Sequence, residues 1–415
     1  MQRYGKKIKR SKNLYKKRKH PARKVLEIVA TVVLVGALGL VGYAAGKPLI
    51  EFLMGDRSDD PPVWVPPENG NGTNGTNGTN PENGNGTNGE NGDNGTQTPN
   101  PTGNYNAVYA PASVLDNSAS LGAYIQQQKS NGYNAVILEM KDTIGHLLYH
   151  SDYALLSSLA DADITKGTLT PQQIIKAFEN TGVLPVARIN TLTDTLGARY
   201  FNDVSYVFYQ GGSRWLDNTI EAGGKLWANP FMSGTQEYIA HLVGELSEAG
   251  FTEIILANNI FPDFKPFDVG ILNPRFTNRN SRFEGLIELM KACDAAKGNS
   301  RLILEMSLRD IVENWAGLNN TAEVLRGRNS LDGFALLISY NAADFGSELQ
   351  TGENSHVVLP AGKAARIDML YKQAESQTGT LAIIPGLITA GLSDVQTEDV
   401  LRTFGDLGFE NYAIR

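Results

Sequence analysis

The chain has 415 residues, with 37 Lys and Arg against 44 Asp and Glu, for a formal net charge of −7. The charge is uneven: residues 1–24 carry twelve Lys and Arg and no acid, so taking those twelve away from −7 leaves −19 on the remainder. An acidic bulk excludes nucleic acid as the main partner, because phosphate binding needs a basic surface, and the single cysteine, Cys293, excludes a disulfide framework or a thiolate metal site.

Residues 1–24 read as a basic cytoplasmic tail. Residues 25–47 read as one transmembrane helix, centred on "IVATVVLVGALGLVGYAAG" (28–46), nineteen residues without a charge. The basic block before this span and Glu51, Asp56, Asp59 and Asp60 after it place the N-terminus in the cytoplasm and the rest outside, in a single pass. A cleaved signal peptide is the rival reading, since Ala44-Ala45 offers a small-residue site. Residues 48–104 form a linker whose low-complexity part, from 56 onward, is Asn, Gly, Thr and Pro. It has too little apolar surface to offset the entropy of ordering and is expected to be a disordered tether.

From 105 to 415 the texture becomes short β-branched runs alternating with amphipathic helical stretches. Eight strands are expected, at 106–111, 134–141, 183–190, 253–258, 301–308, 333–340, 380–387 and 411–415. Helical patterns such as "PQQIIKAFENTG" and "QEYIAHLVGELSEAG" lie between them, several ending in Gly. Nearly continuous apolar strands separated by helices mean a parallel sheet covered on both faces. Eight repeats favour a closed (β/α)8 TIM barrel over an open sheet. No glycine-rich turn follows the first strand, so no dinucleotide cofactor is expected. His146 and His150 are four apart but in a Gly-containing loop, and no metal is expected there.

In such a barrel, chemistry sits at the C-terminal ends of the strands. Alternation turns Val136, Leu138 and Met140 toward the helices and Ile137, Glu139 and Lys141 inward; Arg188 shares a face with Leu184 and Val186, and Glu305 is inward with Ile303 and Ser307. Glu139, Lys141, Arg188 and Glu305 therefore converge. Two readings follow: a neutral network closing the core, or a polar sugar or anion site. Asp142, Asp194 and Asp310 are further rim candidates. The long third loop holds Tyr200, Phe201, Tyr206, Phe208, Tyr209, Trp215 and Trp227, which suit either a carbohydrate platform or a small core of the loop itself.

Four ordered segments carry a resemblance. "NAVILEMKDTIGHLLYHS", "PVARINTLTD", "LWANPF" and "AGFTEIILANNIFP" resemble the bacterial "putative glycosyl hydrolase" barrels of the domain-of-unknown-function type, over roughly residues 105–265. The resemblance implies a glycan or cell-wall polysaccharide as partner. It points to Glu305, Glu139 and Asp142 as catalytic carboxylates and to Lys141, Arg188, Trp227, Asn229 and Tyr340 as ligands; Asn258 and Asn259 can also hydrogen-bond a sugar. The chain departs from the family where relatives continue Asp-Tyr-x-Arg-Phe-Pro. Ala257 stands at the acid and Ile260 at the arginine. The expected function is thus a membrane-tethered extracellular hydrolase-like barrel, with a non-catalytic glycan-binding or envelope scaffold barrel as the alternative.

Overall fold

A computed structural model describes residues 105–153, 156, 158–313 and 320–415. The expected tail, membrane span and linker lie outside the described residues. Among the described residues, no helix is long and apolar enough to cross a membrane.

The strands β1 (Asn106–Tyr109), β2 (Ala135–Lys141), β3 (Leu184–Asn190), β4 (Glu253–Ala257), β5 (Arg301–Ser307), β6 (Ala335–Asn341), β9 (Ala382–Ile388) and β10 (Tyr412–Ile414) close a barrel in the order β1-β10-β9-β6-β5-β4-β3-β2. Every pairing in the barrel is parallel. The eight strands fall within two residues of the expected starts. The remaining two, β7 (Glu348–Gly352) and β8 (Ser355–Val358), form an antiparallel hairpin between β6 and the helix Lys363–Thr378. The hairpin is not foreshadowed by the sequence, because the four residues of β8 are all exposed and no alternation marks them.

Helices cover the outside, and their ends follow local chemistry. Thr170 and Gln173 form a capping box at the start of Pro171–Phe178, as Ser393 and Gln396 do for Asp394–Asp406. Gly250 stops Ser233–Ala249 with φ 113°, a left-handed turn that a side chain would resist.

Two apolar layers hold the fold. Ala107, Ile137, Val186, Ile255, Ile303 and Leu337 are among those that fill the barrel, while Val136, Leu138, Ile189, Leu256, Leu304 and Ile338 pack outward under the helices. Each fully buried Ile or Leu contributes about 1.5–3 kcal/mol. Below this filling, Glu253 and Arg301 pair at 2.5 Å. Burial pushes the Glu253 carboxyl up, against the pull of Arg301.

One inward expectation fails, and the cause is a bulge. Glu139 is level with Arg188, but Lys141 is level with Ile189, so β2 spends two residues where β3 spends one. Ile189 faces the helices, and Lys141 turns out with it. The Lys141 ammonium lies fully buried, 2.8 Å from Asp194 and 2.5 Å from the carbonyl of Asn190, with the Tyr238 ring 5.7 Å away. Asp194 also accepts the Gly197 N–H at 2.6 Å, capping the helix Thr195–Tyr200. Gly145 packs against this carboxylate so closely that a Cβ would lie 2.0 Å from Oδ1. Removing one partner of a dry ion pair strands the other charge. Asp194→Asn should therefore lower unfolding free energy by about 3–5 kcal/mol in urea titrations, and adding Lys141→Met should recover part of that loss.

Candidate active site at the barrel mouth

The top interior layer is polar. Tyr109, Glu139, Arg188, Asn190, Glu305 and Ser339 share the inward parity of the filling residues one step below them. Arg188 is the centre. Its Nε donates to Glu305 Oε2 at 2.5 Å, its Nη2 to Glu305 Oε1 at 3.2 Å, and its Nη1 to Glu139 Oε1 at 2.7 Å. The guanidinium is 4% exposed, Glu305 13% and Glu139 30%, so the carboxylates face the opening and the cation lies beneath. Burial works against the Arg188 charge, but Glu305 and Glu139 outweigh it and hold the guanidinium protonated.

Neighbours complete the network. Asn190 donates to Glu139 Oε1 at 3.1 Å and to the Lys141 carbonyl at 2.6 Å, and its Oδ1 receives the Asn258 amide. Asn258 follows the last residue of β4 with φ 54°, a left-handed conformation that Asn tolerates, and its side chain meets Asn190. Arg415 reaches Glu305 Oε1 at 3.4 Å across the face of Tyr109. Burial, and then the Glu305 charge, raises the Tyr109 phenol well above its ordinary range. Two carboxylates and two guanidiniums thus sum to zero charge.

The structure brings Glu139, Arg188, Glu305 and Asn258 together at the mouth. It places the other expected residues elsewhere. Lys141 is in the outer layer with Asp194. Asn259 is buried, donating to the Leu256 carbonyl at 2.8 Å and accepting from Thr191 at 3.0 Å. Asn229 is fully buried and caps its own turn through the Phe231 N–H. Tyr340 packs outward, stacked on Phe345. Trp227 is half-buried, with its indole N–H on Asp217 at 2.9 Å. Asp310 accepts the Thr321 hydroxyl at 2.6 Å.

Asp142 has a local job. Its Oδ1 accepts the N–H groups of Ile144, Gly145 and His146 at 2.8–2.9 Å, and its Oδ2 meets His146 Nδ1 at 2.7 Å. The long third loop resolves toward its own core: Tyr206 and Trp215 are buried, packing with Phe264 and Phe276, while Tyr209 stands in solvent. Asn190, Arg415 and Tyr109 were not singled out from sequence. Asn190 was within reach, since it shares a face with Arg188 two residues earlier.

Among the described residues, no group of three or more His, Cys, Asp or Glu is placed to hold a metal. Burial pushes the Cys293 thiol up to about 12, which leaves it inert as a nucleophile.

Comparison with known proteins adds one positive finding. Residues 107–296 match the family described as "Putative glycosyl hydrolase domain". No curated protein matches the chain. Similar solved structures include a hypothetical protein from Ruminiclostridium thermocellum (18% identity, 48% of this chain and 96% of that one, TM-score 0.39). The glycoside hydrolase domain of PgaB (BpsB) from Bordetella bronchiseptica is 14% identical, over 75% of this chain and 94% of that one, with TM-score 0.49. The catalytic domain of β-amylase from Paenibacillus polymyxa is 11% identical, over 75% and 91%, with TM-score 0.45.

The Asp142 loop has a pH signature. Burial opposes the Asp142 charge, but His146 and the three backbone N–H groups outweigh it and lower the carboxyl below its ordinary 3.8. A depressed folded-state pKa gives stability that is present above the unfolded value and lost as pH falls through the folded one. Wild type should therefore lose more stability than Asp142→Asn on acidification below about pH 4, read as the difference between their thermal midpoints.

Proposed function

We propose that this chain is a glycoside-hydrolase-like barrel, tethered outside the cell by residues 28–46, that binds a cell-envelope or environmental glycan at its mouth and holds it rather than cleaving it. The single observation behind this reading is the Glu139–Arg188–Glu305 bridge. Hydrolysis of a glycosidic bond ordinarily uses one protonated carboxyl and one carboxylate, with the sugar between them and separations of about 5–5.5 Å or 6.5–9.5 Å. In this mouth the space between the two carboxylates is occupied by a guanidinium, and Glu305 accepts from Arg188 and Arg415 together. To deliver a proton, Glu305 would first have to shed those donors. As hydrogen-bond acceptors for sugar hydroxyls, the same carboxylates need no rearrangement.

Ala257 supports the same reading. It alternates with the inward-facing Ile255, so its fully buried methyl shares that face, at the position where the sequence resemblance leads one to expect an acid. A second reading, hydrolysis with Glu305 as acid or base and Glu139 as its partner, draws on the exposure of both carboxylates. Asp142, its oxygens already occupied, serves as a loop anchor in either reading.

A glycan panel scored for both binding and release of reducing ends separates the two. Binding without release, weakened by Glu305→Gln, is the expected result; release that Glu305→Gln abolishes would establish hydrolysis instead. No binding and no release would sink both. For the tether, a C-terminal epitope on intact cells should be open to external protease; a protected epitope would reverse the orientation.

A further inference from the structure

We propose a second saccharide subsite on the same face of the barrel, in a cleft of about 460 Å³ between the connections that follow β3 and β4. The proposal rests on the glycan reading of the mouth and extends it to a chain of several sugar units. Both connections leave the C-terminal ends of neighbouring strands that also carry Arg188, Asn190 and Asn258, so cleft and mouth open on one side of the molecule.

The cleft has two apolar lips and a polar wall. Ile220, in the short turn Ile220–Ala222, is 79% exposed; opposite it Phe267, in Pro266–Ile271, is 74% exposed. Large apolar side chains held this far into water around one concavity mark a contact surface. They are not loose. Asp268, beside Phe267, accepts the buried Trp215 indole N–H at 2.9 Å and the Lys265 N–H at 2.7 Å, which fixes one lip to the floor. Lys265 Nζ reaches Asn218 at 3.2 Å, joining the two connections. Arg214 and Glu221 also line the cleft, and neither charged group has a partner among the described residues.

The chemistry selects the occupant. Lining charges of both signs nearly cancel, which disfavours a polyanion or polycation and suits a neutral ligand. Apolar faces beside free hydrogen-bonding groups match a pyranose ring, which has an apolar face and a rim of hydroxyls. The volume is that of a small-ligand site, and a stable protein partner would need a broader surface.

The test uses the full chain and four neutral tetraoses (cello-, xylo-, manno- and chitotetraose) with the matching disaccharides, read by calorimetry. The Ile220→Ser, Phe267→Ser double variant alters only exposed side chains. It should weaken the best tetraose roughly 10-fold while leaving its disaccharide unchanged, and Phe267→Tyr should retain wild-type affinity. Equal tetraose affinity in the double variant and wild type overturns the cleft, and the mouth survives if Glu305→Gln still weakens the disaccharide. Saccharide binding that ignores Glu305→Gln yet vanishes in the double variant removes the mouth reading and keeps the cleft. No saccharide binding by wild type overturns both. A changed oligomeric state of the double variant with unchanged affinity would make this face a self-association surface and overturn the saccharide assignment.

Discussion

A buried cation under two half-open anions organises this molecule. Arg188 rises from β3 and binds acids on β2 and β5, so three strands of the mouth are tied through one planar group. A lysine would not serve, because only a guanidinium presents its N–H groups as a fork that can take Glu305 through two of them and Glu139 through a third. Charges at the top of an apolar barrel are costly unless paired. Their complete pairing explains how Glu139 and Glu305 sit directly above Ile137 and Ile303.

The bulge in β2 sorts the remaining charge. Without it Lys141 would join Arg188 in the mouth and leave the cluster with surplus positive charge. With it, Lys141 and Asp194 form their own dry pair between strand and helix, tying the loop after β2 to the helix start after β3. Two neutral compartments result, one facing solvent and one sealed.

The barrel was legible because parallel strands covered on both faces leave long apolar runs, and the eight runs here lie within two residues of the observed strands. Glu139, Arg188 and Glu305 were legible for a related reason: period-two alternation gives the inward face wherever the ladder is regular. It misassigned Lys141 because a bulge shifts the period by one and leaves no mark in the composition. Asn229, Asn259 and Tyr340 were unreadable in another way. Their residue types suit sugar binding, but the backbone uses them first, to close turns or to pack beneath a helix. The hairpin β7–β8 carried no signal, having almost no apolar face to alternate. Arg415 carried no signal of its own: it ends the last expected strand, and its contact with Glu305 follows only once that strand closes the barrel against the first.

Ala257 takes on a further meaning from where β4 lies. That strand sits between β3 and β5, and its register, Leu256 level with Leu304, puts Ala257 beside Glu305 on one flank and Asn190 on the other. The Arg188 side chain must therefore cross the top of β4 to reach Glu305. A methyl group leaves that crossing open. Any longer side chain at 257 would stand in the way, and an acidic one would intercept the guanidinium before it arrived. The small residue thus acts as a gap in a fence: by offering nothing itself, it decides which acid the arginine meets.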